Sequence, residues 1–324
     1  MKKKIAIIMG GYSNEYKISL QSGNVVYNYL NRDKFDLFRI HILKEKWMYV
    51  DDTGIEHPVN RADFSIQIDE KIINFDCVFN AIHGTPGEDG LLQAYFELLK
   101  IPQTSCGFYQ AALTFNKRDL LSVLKPYGVK SAVSYYLNKG DAIDADAILE
   151  KVQLPCFVKA NKSGSSYGIS KVHKKEDLQR AIEVAYKEDD EIIIEACLTG
   201  TEVSVGVLKL KGKTTVLPIT EIVSENDFFD YAAKYEGQSK EITPARITNA
   251  QEENVSYWAK TIYDVLKMKG FSRSEFIFIK DEPYLLEVNT TPGLTTNSIL
   301  PQQAAAAGID LPTLFENAIV EVLS

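Results

Sequence analysis

An unbroken apolar run, Ile5-Ala6-Ile7-Ile8-Met9, ends at Gly10-Gly11 and is followed by a helical stretch over about 19–30. A strand with no polar residue on either face has to be covered on both, as in parallel sheets wrapped by helices. The chain therefore opens as β-loop-α. Further strands are expected at 37–43 and 76–82, and a helix at 91–100 stops before Pro102. These elements form an open α/β domain over residues 1–103.

The remainder of the 324 residues has room for one or two more domains. Residues 104–194 read as mixed α+β, with helices at 115–125 and 175–187 and a strand at 156–160. Residues 195–324 carry two hairpins. In the first, 202–210 and 214–219 flank Lys211-Gly212-Lys213; in the second, 275–280 pairs with 284–289. Between them, 224–243 has no period and is too long for an ordinary connection, so it reads as a lid or a disordered segment.

Charge and cysteines narrow the function classes. With 36 Lys and Arg against 44 Asp and Glu, the net charge of −8 argues against a surface built for nucleic acid or anionic lipid. Cys77, Cys106, Cys156 and Cys197 lie far apart without CxxC spacing, which signals neither zinc nor disulfides and points to a reducing cytoplasm. The basic stretch Lys2 to Lys4 resembles the start of a leader, but the apolar run behind it is too short for one, and no run approaches the length of a membrane span.

Glu287 and Asn289 are two residues apart on one strand and so share a face. If Asp281-Glu282-Pro283 is a three-residue loop, Lys280 pairs with Tyr284 and Glu275 lies opposite Asn289, diagonal to Glu287. Two carboxylates and an amide at one hairpin mouth either hold Mg²⁺ or form a polar, solvated sheet face. Arg273 projects toward the same mouth, to stabilise transition-state charge or to pair with Asp281 or Glu282. Lys159 ends an apolar strand and is followed by Lys162-Ser163-Gly164-Ser165-Ser166-Tyr167-Gly168, either a turn or a loop whose N–H groups approach phosphate. Lys117 and Lys159 have the charge to neutralise a polyphosphate, or to snorkel to solvent. Gly10-Gly11-Tyr12-Ser13-Asn14-Glu15 follows a strand's carboxyl end, where open α/β sheets bind ligands. His83-Gly84 and Gly87-Glu88-Asp89-Gly90 line the same crevice or are turns with capping acids.

In order along the chain, five segments resemble the D-alanine:D-alanine ligases of the ATP-grasp superfamily. They are Gly10-Gly11-x-Ser13-x-Glu15-xxx-Ser19, His83-Gly84-xx-Gly87-Glu88-Asp89-Gly90, Lys159-xxxx-Gly164-Ser165-Ser166-x-Gly168, Phe229-Asp230-Tyr231-xx-Lys234-Tyr235 and Leu286-Glu287-x-Asn289-Thr290-x-Pro292-Gly293. The resemblance covers essentially the whole chain. It implies an ATP-grasp fold, α/β and α+β, behind an N-terminal open α/β domain, divided as 1–103, 104–194 and 195–324.

It also implies a reaction: ATP phosphorylates one D-alanine and the amine of a second attacks the acylphosphate, making a peptidoglycan precursor. D-lactate or another amino acid is the alternative acceptor. By the same resemblance Glu275, Glu287 and Asn289 hold two Mg²⁺ ions, with Mn²⁺ as the substitute, and Lys117, Lys159 and Lys234 balance the phosphates. Glu275 stands where aspartate is frequent. Glu195 and Leu198 flank the adenine and Glu202 meets the ribose. Glu15 takes the first ammonium, His83 neighbours the first carboxylate, and Ser298 with Ile299 seats the second. Arg273 and the Gly293 N–H stabilise the oxyanion. Tyr235 joins Ser165 and Glu15 in closing the lid. The implied partners are ATP and D-alanine, with neither nucleic acid nor membrane, and the family habit is a cytoplasmic homodimer joined through the N-terminal domain.

Overall fold

The computed structural model describes residues 2–164, 168–224 and 239–324. Strand β1 (Lys3–Gly10) is buried from Ile5 on and pairs in parallel with β2 (Phe35–Ile42) and β7 (Cys77–Asn80), with α1 (Tyr16–Tyr29) crossing between β1 and β2. Its alternate residues feed two cores. Ile5, Ile7 and Met9 join Phe79 on one side, while Ala6 and Ile8 join Ile40, Phe64 and Phe96 on the other. The doubly covered strand expected from the apolar run is present.

Four short strands not anticipated from the sequence widen this sheet to seven: β3 (Trp47–Val50), β4 (Glu56–Asn60), β5 (Ser65–Ile68) and β6 (Lys71–Ile73). They form an antiparallel meander beyond β2. Helix α2 (Leu91–Leu98) ends earlier than expected, where Lys100 turns to φ 57°.

The single helix expected over 115–125 is two, α3 (Phe108–Phe115) and α4 (Lys117–Leu124). Asn116 separates them, because its side chain leaves the helix to accept the Asp119 N–H at 3.1 Å as the N-cap of α4. Next comes a four-stranded antiparallel sheet ordered β10 (Ser170–Val172), β9 (Cys156–Ala160), β11 (Glu191–Ala196), β8 (Ser134–Asn138). It packs on α5 (Ala145–Val152) and α6 (Leu178–Ala185).

The third sheet contains β12 (Thr201–Leu210), β13 (Lys213–Val216), β14 (Thr220–Ser224), β15 (Ser239–Ile242), β16 (Ser272–Ile279) and β17 (Glu282–Asn289). The strand expected over 214–219 is shorter: β13 ends at Val216 and pairs with the far half of β12, while β14, which begins only at Thr220, pairs with its near half. Helix α7 (Asn249–Val265) covers this sheet from a Thr248/Gln251 capping box. Two last helices, α8 (Ile299–Ala306) and α9 (Leu311–Leu323), return to the first sheet, where Leu314, Phe315 and Ile319 bury the Ile5, Ile7 and Phe79 face. The four cysteines are free thiols, and among the described residues no helix is long and apolar enough to cross a membrane.

Candidate active site

The second hairpin departs from the register expected for it. Its turn has two residues, Lys280 and Asp281, so Ile279 pairs with Glu282. Continued without interruption, that register sets Leu286 opposite Glu275. A β-bulge after Glu275 absorbs Leu286, and Glu287 faces Glu275 directly while Asn289 faces Arg273. The expected pairing of Glu275 with Asn289 is thus corrected by two residues. An even shift leaves each side chain on its face, so Arg273, Glu275, Glu287 and Asn289 do share one side of the sheet.

The predicted partners of Arg273 in the turn are not its partners. Its Nη2 lies 2.8 Å from Glu275 Oε1, and Glu275 is only 3% exposed. Two charges removed from water need each other here: deleting either strands the other. Glu287 Oε2 stands 3.4 Å from Lys117 Nζ, which also donates to the Ser163 carbonyl at 2.8 Å. Lys117 sits there because the Asn116 break starts α4 beside the loop after β9.

A cleft of about 300 Å³ collects Glu15, His83, Lys117, Arg273, Glu287, Asn289, Gly293, Ser298 and Ile299 from three sheets and their loops. Ser298 is the N-cap of α8 without a side-chain cap, so first-turn N–H groups are offered to an anion. A Cβ on Gly293 would stand 2.7 Å from Ser298 Oγ, and one on Gly164 2.7 Å from Glu15 Oε2. Both glycines let backbone come within reach of site side chains. A larger cavity of about 600 Å³ lies elsewhere, lined by Gln93, Lys100, Lys209 and Lys269, away from these converging acids.

Lys159, Glu195 and Glu202 lie within electrostatic reach of one another and of Glu287 in the cleft. Lys159 Nζ is 2.7 Å from Glu195 Oε2, both side chains being buried. Burial opposes the lysine charge, but the attraction and hydrogen bond of Glu195, with Glu287 and Glu202 behind it, outweigh burial and raise its pKa. Leu198 and Glu202 are half-buried.

His83 lines the cleft with both ring nitrogens committed to the protein. Nδ1 is 2.8 Å from the Thr291 carbonyl, and Nε2 is 3.0 Å from Ser22 Oγ, which itself accepts the Leu294 N–H. Burial lowers its pKa against the pull of Glu15. The neutral ring therefore donates from Nδ1 and accepts at Nε2, tying α1 to the 291–294 loop.

Two acids in the cleft escaped the sequence reading as site residues. Glu88 stands in the quoted Gly87-Glu88-Asp89-Gly90 motif, which reads either as lining the crevice or as a turn with capping acids, and it carries no role of its own there. In the fold it accepts the Gly84 N–H at 3.0 Å, and burial, then the charge of Glu15, pushes its pKa up to about 8. Asp89 is the one beside the helix start, accepting the Leu91 N–H. Glu241 lies near the end of the long inter-hairpin segment 224–243, whose lack of period gave no signal. Ser165, Lys234 and Tyr235, and with them the Phe229 to Tyr235 motif and most of the expected lid, lie outside the described residues. The described end of that lid, 239–242, is strand β15.

The chain is similar to known proteins over essentially its whole length. The family model of the D-ala D-ala ligase N-terminus matches residues 4–106, and that of the D-ala D-ala ligase C-terminus matches 125–320. A D-alanine–D-alanine ligase of Flavobacterium johnsoniae is 69% identical over 317 residues, covering 98% of each chain. Among solved structures, the VanG D-Ala:D-Ser ligase from Enterococcus faecalis superposes with TM-score 0.87 at 32% identity over 100% of both chains. A D-alanine–D-alanine ligase from Bacillus anthracis complexed with ATP gives 0.79 at 27% identity, covering 99% of this chain and 97% of that one. A cleft edged by facing acids on a bulged ribbon, on a chain matched from end to end, places this protein in the D-alanine–D-alanine ligase family with an ATP-grasp fold.

Proposed function

We propose that the cleft joins two D-alanines with ATP as phosphoryl donor, supplying the dipeptide of peptidoglycan precursors. A carboxylate oxygen of the first D-alanine takes the γ-phosphoryl group and ADP departs. The neutral amine of the second then attacks the acylphosphate carbon, and the tetrahedral adduct collapses by expelling phosphate.

The observation that carries this reading is the facing pair Glu275 and Glu287 with Arg273 beside them, at a cleft that also holds Glu15 and Gly293. Two carboxylates and the Asn289 amide are a set of hard oxygens that fits Mg²⁺ or Mn²⁺. The ion would hold phosphate oxygens and neutralise them. Lys117 and Lys159 contribute positive charge to the phosphate region, joined by Lys234. Glu195 and Leu198 flank the base and Glu202 meets the ribose. Glu15 orients the first ammonium, with Ser165 and Tyr235 completing its closure. His83 acts as a positioning residue for the 291–294 loop, its tautomer fixed by Thr291 and Ser22. The α8 N-terminus at Ser298 and Ile299 seats the second carboxylate. Arg273 and the Gly293 N–H face the oxyanion, where preorganised donors act most strongly.

The division at residues 103 and 194, the homodimer and the cytoplasmic location belong to the same reading. Phosphate release on adding D-alanine to protein, ATP and Mg²⁺, with L-alanine as control, tests nucleotide, metal and stereochemistry together. The 32% identity to a D-Ala:D-Ser ligase favours including D-serine, and with it D-lactate, as rival acceptors in the same assay. Faster turnover with either in place of the second D-alanine replaces the D-alanyl-D-alanine reading.

A further inference from the structure

We propose that Glu241 receives the ammonium group of the second amino acid and so makes the acceptor site selective for an amine over a hydroxy acid. The inference rests on the ligase reading above and assigns a group that reading leaves without a partner.

Sheet register aims the side chain. Ser204 pairs with both Glu275 and Thr220, so these three share a face. Ile222, two residues past Thr220, lies on that face too, and Glu241 is its partner on β15. Glu241 therefore projects from the same side of the sheet as Arg273 and Glu275, and it lines the cleft beside Ser298 and Ile299.

One oxygen is anchored: Gln302 Nε2, from the first turns of α8, donates to Oε2 at 3.1 Å. Among the described residues no hydrogen bond engages Oε1, and no lysine or arginine forms an ion pair with this carboxylate. Arg273 gives its Nη2 to Glu275 instead. Burial raises the pKa of Glu241 and the charge of Glu275 adds to this, against the charge of Arg273 and the Gln302 hydrogen bond. A partly desolvated carboxylate without a cation is costly unless a cation arrives.

The second amino acid brings one. With its carboxylate at the α8 N-terminus, its ammonium stands one carbon away, on the side of Glu241. The cleft then holds one acid for each ammonium, Glu15 for the first and Glu241 for the second. An α-hydroxy acid offers no charge in that position.

The test is steady-state kinetics of the full-length protein with ATP and Mg²⁺, resolving separate KM values for the first and second D-alanine. Glu241→Gln keeps the size and the acceptor for Gln302 but removes the charge. A tenfold or greater rise in the second KM is expected, with the KM for ATP and for the first D-alanine within twofold of wild type. Glu241→Asp, charged but one methylene shorter, should fall between. An unchanged second KM overturns the inference, and so does a joint rise of all three constants, which marks a cleft disturbed as a whole, or an equal loss of affinity for D-lactate as competitor of the second D-alanine, which is what a loosened carboxylate seat at α8 produces. A wild-type protein that releases no phosphate brings down the ligase reading itself, whereas an active wild type with an indifferent Glu241→Gln variant brings down this assignment alone.

Discussion

Glu88 gives the sharpest test of the electrostatics of the cleft, because its pKa and its surroundings make a signed prediction. Its carboxyl is buried, it accepts the Gly84 N–H, and its pKa stands near 8 against an ordinary 4.5. A folded protein that raises an acid's pKa binds a proton the unfolded chain has released. Stability is then fully present below the unfolded value and falls as pH rises toward the folded one, with no further loss above it. The slope for one proton is about 1.4 kcal/mol per pH unit. From about pH 6 to about pH 8 the group should cost wild type about 2 kcal/mol, the last half unit being flattened by its own titration. Glu88→Gln carries no proton to lose, and its amide oxygen can accept the same Gly84 N–H. Urea unfolding at several pH values should show wild type losing that much relative to Glu88→Gln over the interval. Parallel profiles, or a wild type that gains on the variant as pH rises, would refute the buried, protonated state.

Three further substitutions probe other parts of the site. Glu287→Ala removes the acid facing Glu275 and the partner 3.4 Å from Lys117, so ATP-dependent phosphate release should disappear while the fold persists; wild-type turnover sinks the metal assignment. Lys159→Met leaves Glu195 buried without its partner at 2.7 Å, which should cost about 3–5 kcal/mol by urea titration and raise the KM for ATP. An equally stable variant shows that the pair adds nothing. Gly164→Ala puts a methyl 2.7 Å from Glu15 Oε2, which should raise the KM for the first D-alanine without lowering the melting temperature; unchanged binding takes Glu15 out of that role.

Legibility followed the physics of each element. Ile5 to Met9 was readable because apolar residues on both faces leave one environment for a strand, and the two covers are there, α2 with the meander on one side and α1 with the last helix on the other. The meander strands were not readable, since segments such as Trp47-Met48-Tyr49-Val50 are half-buried throughout and show no alternation. The break at Asn116 was hidden inside a continuous helical pattern, although Asn116 with Asp119 three residues later is a capping signal. Leu311 to Leu323 carried no mark of where it packs, because its partner face lies some 300 residues earlier. Glu241 looks like an ordinary surface acid in sequence, and nothing there separates Glu88 from the capping acids of its motif. Their distinction is burial and, among the described residues, the absence of an ion pair, and both are set by distant elements.

The ribbon shows most plainly what sequence spacing can and cannot settle. Arg273 and Glu275, or Glu287 and Asn289, share a face by simple alternation, and that much holds under any register. Which residue faces which depends on turn length and on the bulge, and neither leaves a composition signal in Lys280-Asp281 or Leu286. The two errors in the expected pairing happened to sum to an even number. Had the two-residue turn occurred without the bulge, Leu286 would stand opposite Glu275, and the Glu287 and Asn289 side chains would point into the Val288 side of the sheet. The bulge is therefore a requirement for the facing acids. Its strand also bends there, as bulged strands do, at the point where the chain leaves for Thr290 to Gly293 and the α8 N-terminus. One extra residue thus joins the acid pair to the loop that seats the acceptor. Deleting Leu286 should abolish phosphate release even though all the acids remain.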